Sequence, residues 1–328
     1  MTDVSALAAR PGVPRRATLA PLMIAAGSLA GYCVAAVATD QAGQISPEGV
    51  IGVLQRTVAL GIVALGQTMA ILVGSIDLSV ATLVSVGAVM ASWLMQGDPR
   101  MMLPASALVL VLAAAVGIVN GLLVTKLRVN ALIATLGTGL ILQGALSASF
   151  NNFAGSVPAE FQILAYGTIG QVPFSVLFLF ALAGLGWLTL SRTRFGAHVY
   201  ATGGSLDGAR LAGIKTERVI VAAHILCSLG AGVTGLYLAS RLRSGAPWIG
   251  RDGVYDLESI AVVVIGGTVL AGGKGGVWGT IAGVILFGSL DAIFTMAGVD
   301  AYVKQVLRGV IVVAAVAAYA FRNTAQVA

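Results

Sequence analysis

In this 328-residue chain the side chain best placed to do chemistry is Asp77, in Gly74-Ser75-Ile76-Asp77-Leu78-Ser79 between two long apolar runs. An ionisable group at membrane depth is costly and is generally retained for function. Gly74 and Ser75 break the helical pattern just before it. Free backbone groups at such a break persist only where protein or a water-filled cavity satisfies them. Ser79, or Asp77 itself, is suited to cap the helix that follows. Two readings stand side by side: a cap at a tight turn, or a group in the route of a solute. Gln67 and Thr68 lie about two turns earlier on the preceding run. Thr135, Thr138 and Gln143 form a second polar series on another apolar segment, and Thr135 and Thr138 share a helix face. Such neutral donors and acceptors either bond neighbouring helices or line a path for an uncharged polar solute.

Other chemistry is missing from the sequence. Gly266, Gly267, Gly272, Gly273, Gly275, Gly276 and Gly279 crowd one segment, but Lys274 is followed by Gly275 rather than Ser or Thr. The phosphate-cradling signature is therefore absent, and the glycines fit tight helix contact and a sharp turn. No Ser-His-Asp set, paired carboxylates or metal spacing can be read, and no metal or other cofactor is expected. His198 and His224 stand isolated and are assigned no chemistry. Cys33 and Cys227 each sit inside an apolar run, without a disulfide framework. Arg56, Asp291 and Arg308 fall near or within membrane depth, and Asp291 is placed to pair with Arg308 across helices.

The elements that must position these residues are membrane helices. The chain is 58% apolar and 10% charged, against roughly 25% charged in a soluble domain, so it is an all-α polytopic membrane protein. A bilayer core takes about 20 apolar residues per helix. Ten segments qualify: Leu19–Thr39, Thr57–Val73, Leu78–Met95, Leu103–Val124, Ala131–Ser149, Val172–Leu190, Val219–Ser240, Leu257–Ala271, Val277–Ala297 and Val306–Phe321. Either glycine-broken pair, the second with the third or the eighth with the ninth, can instead be one re-entrant element. The segments 71–92 and 264–289 share the pattern of apolar run, glycine break and small-residue span, which suggests a repeat. Arg10, Arg15 and Arg16 precede the first run as in a signal peptide, but its length marks a retained span.

Lys and Arg then set orientation. With the N-terminus inside, one side collects Arg10, Arg15, Arg16, Lys126, Arg128, Arg192, Arg194, Arg210, Lys215, Arg218, Lys274 and Arg322. The other side holds Arg100, Arg241, Arg243, Arg251 and Lys304. Both termini are therefore expected in the cytoplasm, with a tail over 1–18, a transmembrane domain over 19–322 and a tail over 323–328. The net charge of +6 is this topological bias, and nucleic acid is not an expected partner. Lipid is. Inside the cytoplasmic loop 192–218, the stretch VYATGGSLDGARLAGIKTERV reads as one short helix. Ser205 is its N-cap, Asp207 lies in the first turn, where the dipole favours an acid, and Gly213 is its stop. About two turns are too few to be stable alone in water, so this helix needs a surface to dock on: its own protein, lipid headgroups or another protein.

Four blocks resemble permease subunits of bacterial ribose/xylose/arabinose-type sugar ABC importers. They are RFGAHVYATGGSLDGARLAGI, GQTMAILVGSIDLSVATLVSVGAVMAS, NGLLVTKLRVNALIATLGTGLILQG and ESIAVVVIGGTVLAGGKGGVWGTIAGVILFGSL, in family order over most of 57–321. The resemblance implies an inner-membrane subunit that works with an ABC ATPase subunit, a periplasmic solute-binding protein and a second permease copy or a related permease. It implies that Gly203, Gly204, Ser205, Asp207, Arg210, Leu211 and Gly213 belong to a helix that couples to the ATPase. Gln67, Asp77, Ser79, Thr135 and Thr138 become candidates for the substrate pathway. Ser205 stands where Asn is common, Gly208 where Ala is common, and Ser75 replaces the second Gly of a Gly-Gly-Ile-Asp pattern; none removes a required chemical group. A nucleoside, polyol or signalling-furanose cargo stays open on these residues. An ion-coupled transporter relying on Asp77 and Asp291 is a further alternative, and a membrane enzyme lacks clustered catalytic groups.

Overall fold

The computed structural model describes residues 15–324. In chain order its helices are α1 (Arg15–Ala38), α2 (Pro47–Leu72), α3 (Val80–Met95), α4 (Met102–Thr125), α5 (Ala131–Ser149) and α6 (Ile163–Tyr166). After a two-residue hairpin of β1 (Thr168–Ile169) and β2 (Val172–Pro173) come α7 (Phe174–Arg192), α8 (Arg194–Gly204), α9 (Leu206–Leu211) and α10 (Thr216–Leu242). The chain ends with α11 (Ile249–Asp252), α12 (Tyr255–Ile265), α13 (Val277–Met296) and α14 (Ala301–Thr324). A helix occupies each of the ten expected spans. Seven of them, α1, α2, α4, α5, α7, α10 and α13, are long and apolar enough on their own to cross a bilayer. The 16-residue α3 and the 11-residue α12 are shorter, because each adjoins a glycine-broken segment that leaves the helical path.

Helix limits follow local chemistry. α2 starts ten residues before the expected Thr57: Ser46 Oγ accepts from Gly49 N at 3.2 Å, Pro47 opens the helix and Glu48 sits in its first turn. Asn130 Oδ1 caps α5 by accepting from Leu132 N at 2.9 Å. The helix α1 begins at Arg15 and α14 continues to Thr324. Arg10 and residues 325–328 lie outside the described residues.

At the centre α10 packs against α2, α3 and α4, and α13 joins α2 to α1 and α12. Backbones approach closely here. A Cβ on Gly117 would fall 2.6 Å from Ile225 Cα, and one on Gly66 would fall 2.8 Å from the Cys227 carbonyl oxygen. Small residues thus give close van der Waals packing where lipid supplies no hydrophobic drive between helices. From Thr57 to Leu72 every α2 side chain is buried, whereas the rims of α1, α4, α5 and α14 carry exposed Leu, Val and Ile.

Candidate functional site

Two structures occupy the end of the bundle that carries α8 and α9. The first is the broken segment between α2 and α3. Asp77 is 0% exposed. Its Oδ1 accepts from Ser79 N at 2.9 Å and from Ser79 Oγ at 2.5 Å, fixing the start of α3. Asn120 Nδ2 of α4 donates to Asp77 Oδ2 at 3.2 Å and to Ser79 Oγ at 2.9 Å. From α10, His224 Nδ1 lies 3.3 Å from Asp77 Oδ2, and its Nε2 lies 2.9 Å from Ser75 Oγ. With its amide turned so that donor faces acceptor, Gln67 of α2 brackets the Asp77 peptide, Nε2 donating to the carbonyl and Oε1 accepting from the amide, at 3.2 Å each. Thr135 Oγ1 of α5 accepts from Leu78 N at 3.0 Å. Five elements therefore converge on one break, and almost every polar atom that the break frees has a partner.

The structure gives several of these residues partners at the break. Gln67, Asp77, Ser79 and Thr135 are all 0% exposed, and Ser79 and Thr135 bond to the segment Asp77–Leu78. Thr138 stands apart, half-buried, with Oγ1 donating to Ala134 O at 3.0 Å. His224 is not isolated: it is the α10 member of the knot. Asn120, which the sequence reading passed over, is central to it. The signal that could have found both is a lone polar side chain on an otherwise apolar span.

The second structure is the polar loop. It is two helices, not one. Gly203 and Gly204 close α8, and Ser205 adopts extended backbone between α8 and α9, with φ −160° and ψ 110°. The Ser205 hydroxyl then caps α9 by accepting from Gly208 N at 3.1 Å. Asp207 and Arg210 lie in its first and last turns and form an exposed ion pair at 3.5 Å. Gly213, at φ +80°, ends the motif in the left-handed region that glycine adopts without strain. Leu211 is 91% exposed. The break at Ser205 has a packing cause. A side chain on Gly203 would run into Leu72 O and Gly273 N, so α8 ends where it meets the end of α2 and the glycine segment after α12. That junction is held by Gly273 N donating to Leu72 O at 2.9 Å and by the Tyr200 hydroxyl donating to Gly275 O at 2.9 Å. Burial pushes the Tyr200 hydroxyl pKa up, so it stays a donor. The two glycine breaks of the chain are in direct contact through this junction.

At the opposite end Arg308 of α14 bonds Asp291 of α13, as expected, and also lies 3.2 Å from Glu258 of α12. The sequence reading did not include Glu258. Arg56 is exposed on α2, and among the described residues no carboxylate lies within ion-pair distance of it. Among those residues no group of His, Cys, Asp or Glu could hold a metal ion.

A bundle of membrane-crossing helices, with a buried acid at a broken segment and a short exposed helix at the same end, is the architecture of a polytopic membrane permease. The chain matches the family described as "Branched-chain amino acid transport system / permease component" over residues 49–316, and it belongs to that family. It is 35% identical over 289 residues to the ribose import permease protein RbsC of Escherichia coli (strain K12), covering 86% of this chain and 89% of the relative. It is 33% identical to RbsC of Bacillus subtilis (strain 168), over 83% of this chain and 84% of the relative. It is also 32% identical to the galactose/methyl galactoside import permease protein MglC of Haemophilus influenzae, over 78% and 81%. No solved structure matches the chain.

Proposed function

We propose that this chain is the membrane-spanning subunit of an ATP-driven ABC importer for a sugar, set in a bacterial inner membrane with both termini in the cytoplasm. The observation that carries the cargo is the 35% identity to a ribose import permease across 86% of the chain. The family description names branched-chain amino acids, yet the individual relatives named above import ribose or galactosides. The polar groups of the spans also favour an uncharged solute, since the buried acid Asp77 is already engaged.

In this reading a separate ABC ATPase subunit supplies the energy, a periplasmic solute-binding protein delivers the sugar, and a second permease copy or a relative completes the complex. The segment from Gly203 to Gly213 docks on the ATPase. A six-residue helix is far below the length that holds itself together in water, and Leu211 is presented without cover. Asp77 and its partners act as the brace that receives this push through the α8, α2 and glycine-segment junction. The test is uptake of labelled ribose and galactose by vesicles holding the permease with its ATPase and binding protein. Replacing both Arg210 and Leu211 with Asp should abolish ATP-dependent uptake and co-purification with the ATPase while the protein stays in the membrane. Normal uptake by that double variant would remove the docking role. Uptake driven by an ion gradient without ATP would remove the ABC reading altogether.

A further inference from the structure

At the end of the bundle far from α8 and α9, one guanidinium faces two carboxylates. Arg308 of α14 bonds Asp291 of α13, and its Nη1 also lies 3.2 Å from Glu258 Oε1 of α12. The two contacts are unequal. Asp291 accepts a hydrogen bond, whereas the buried Glu258 Oε1 accepts none from any described residue. Glu258 is 7% exposed, and a carboxylate that deep in a protein ordinarily has its oxygens hydrogen-bonded. The Asp77 carboxylate meets that expectation, with bonds from Ser79 and Asn120. Glu258 does not, so its place beside an already engaged arginine calls for another reason.

Glu258 and Asp291 stand on the two arms of one hairpin. The glycine segment joins α12 to α13, and the arms touch backbone to backbone. A Cβ on Gly266 would fall 2.2 Å from Gly279 O, and one on Gly283 would fall 2.1 Å from Val262 O. Contacts this close leave the arms little freedom to slide on each other. The tip of the hairpin meets α8. Tyr200 bonds Gly275 O, and a Cβ on Gly273 would fall 2.6 Å from Gly204 Cα. A displacement of α8 is therefore handed to both arms together. The helix α14 is held less firmly. Near its start Lys304 Nζ donates to Thr295 Oγ1 at 2.9 Å, and further on Arg308 makes the ion pairs. Val303, Val306, Val310 and Val313 on its other side are exposed, so α14 is packed along one side only.

We propose that Arg308 is a two-position latch: it hydrogen-bonds Asp291 in the arrangement described here and passes to Glu258 when the hairpin is displaced against α14 during transport. This rests on the importer reading and adds three positioning residues at the end opposite the ATPase. Passing a cation from one carboxylate to another keeps it paired at both ends of the movement. Breaking a lone pair would instead leave a buried charge uncompensated. Glu258 is thus the second resting place, and its missing hydrogen bond marks the arrangement in which that place is vacant. Sliding of one packed element past another between two discrete partners is a known form of two-state switch. The ATPase can bias it only by holding the two arrangements unequally, and the contact of α8 with the hairpin tip is where that bias enters.

The test compares Glu258→Gln and Asp291→Asn with the native permease, each assembled with its ATPase and binding protein. Either variant leaves Arg308 one carboxylate, so neither melting temperature should fall below the native value. Each variant removes one of the two positions, so ATP hydrolysis should drop at least about tenfold in both. The decisive readout is the affinity of the complex for the unliganded binding protein, with and without ATP, which needs no knowledge of the cargo. Glu258→Gln keeps the arrangement described here. It should match the native affinity without nucleotide and lose the change that ATP produces. Asp291→Asn is moved to the other arrangement and should show an affinity altered by about tenfold before ATP is added. A native affinity in Asp291→Asn, or a response to ATP in Glu258→Gln equal to the native one, would overturn the latch. So would activity that falls only in step with the melting temperature, which would make the cluster structural. A native permease that takes up sugar on an ion gradient without ATP would end the importer reading, and the latch with it, before either variant is compared.

Discussion

Asp77 shows how one side chain can hold a membrane protein together. Its carboxylate takes two bonds from Ser79 and one from Asn120, and faces His224. Replacing it with Ala strands buried donors on three elements, and each stranded group costs about 1–3 kcal/mol. Asp77→Ala should therefore lower the thermal stability of the detergent-purified protein as well as transport, while Asp77→Asn keeps most of the stability. A melting curve for Asp77→Ala that overlays the native one would show that the knot is not structural. The charges at the other end behave differently. Arg308 stands between Asp291 and Glu258, and Glu258 is 7% exposed. Removing one partner of a fully buried ion pair costs about 3–5 kcal/mol, because the remaining charge is left uncompensated; Arg308 and Asp291 are only half-buried, so solvent screening lowers the cost here. Arg308→Leu should thus be destabilised by less than that, and adding Glu258→Gln should restore much of the loss. Absence of rescue in the double variant would show that the damage is steric, not electrostatic. Asp77 and the pairing of Asp291 with Arg308 were legible as isolated charges in apolar runs. The His224 and Glu258 partnerships were not, because they join residues far apart in the chain.

Among the elements, α9 is the one whose existence depends on its cap. With six residues it has little else. Losing a serine N-cap costs about 1 kcal/mol, which is large for so short a helix. Ser205→Ala should weaken ATPase binding and uptake together, and Ser205→Asn should retain both. Equal affinity of native and Ser205→Ala permease for the ATPase would show that α9 forms without its cap. The cap, the acid in the first turn and the glycine stop were all readable in Ser205, Asp207 and Gly213. The division into α8 and α9 was not, since Tyr200 to Gly204 carry no stop signal stronger than two glycines. What ends α8 is the backbone of Leu72 and Gly273 against Gly203, a contact between segments that are distant in sequence. Similarly, α12 is short because the glycine segment after it is needed at this junction.

For the whole molecule, the alternation of ten helices places α8, α9 and the broken α2–α3 segment at one end and Glu258, Asp291 and Arg308 at the other. The Lys and Arg bias argues that the first end faces the cytoplasm. In intact spheroplasts an impermeant maleimide should label Arg251→Cys but label Asp207→Cys only after permeabilisation; the reverse pattern would invert the topology. The sequence by itself determined the all-helical membrane class, the placing of the ten helices and the capped loop. Apolar length, cap chemistry and charge bias are local properties, and lipid leaves the backbone almost no choice but helix. Only the tertiary structure decided which polar residues meet. Whether Gln67, Asp77 and Thr135 satisfy one another or face a solute depends on which faces α2, α4, α5 and α10 turn together. That is fixed by close packing of small residues between helices, where every polar group must find a partner inside the protein because lipid offers none.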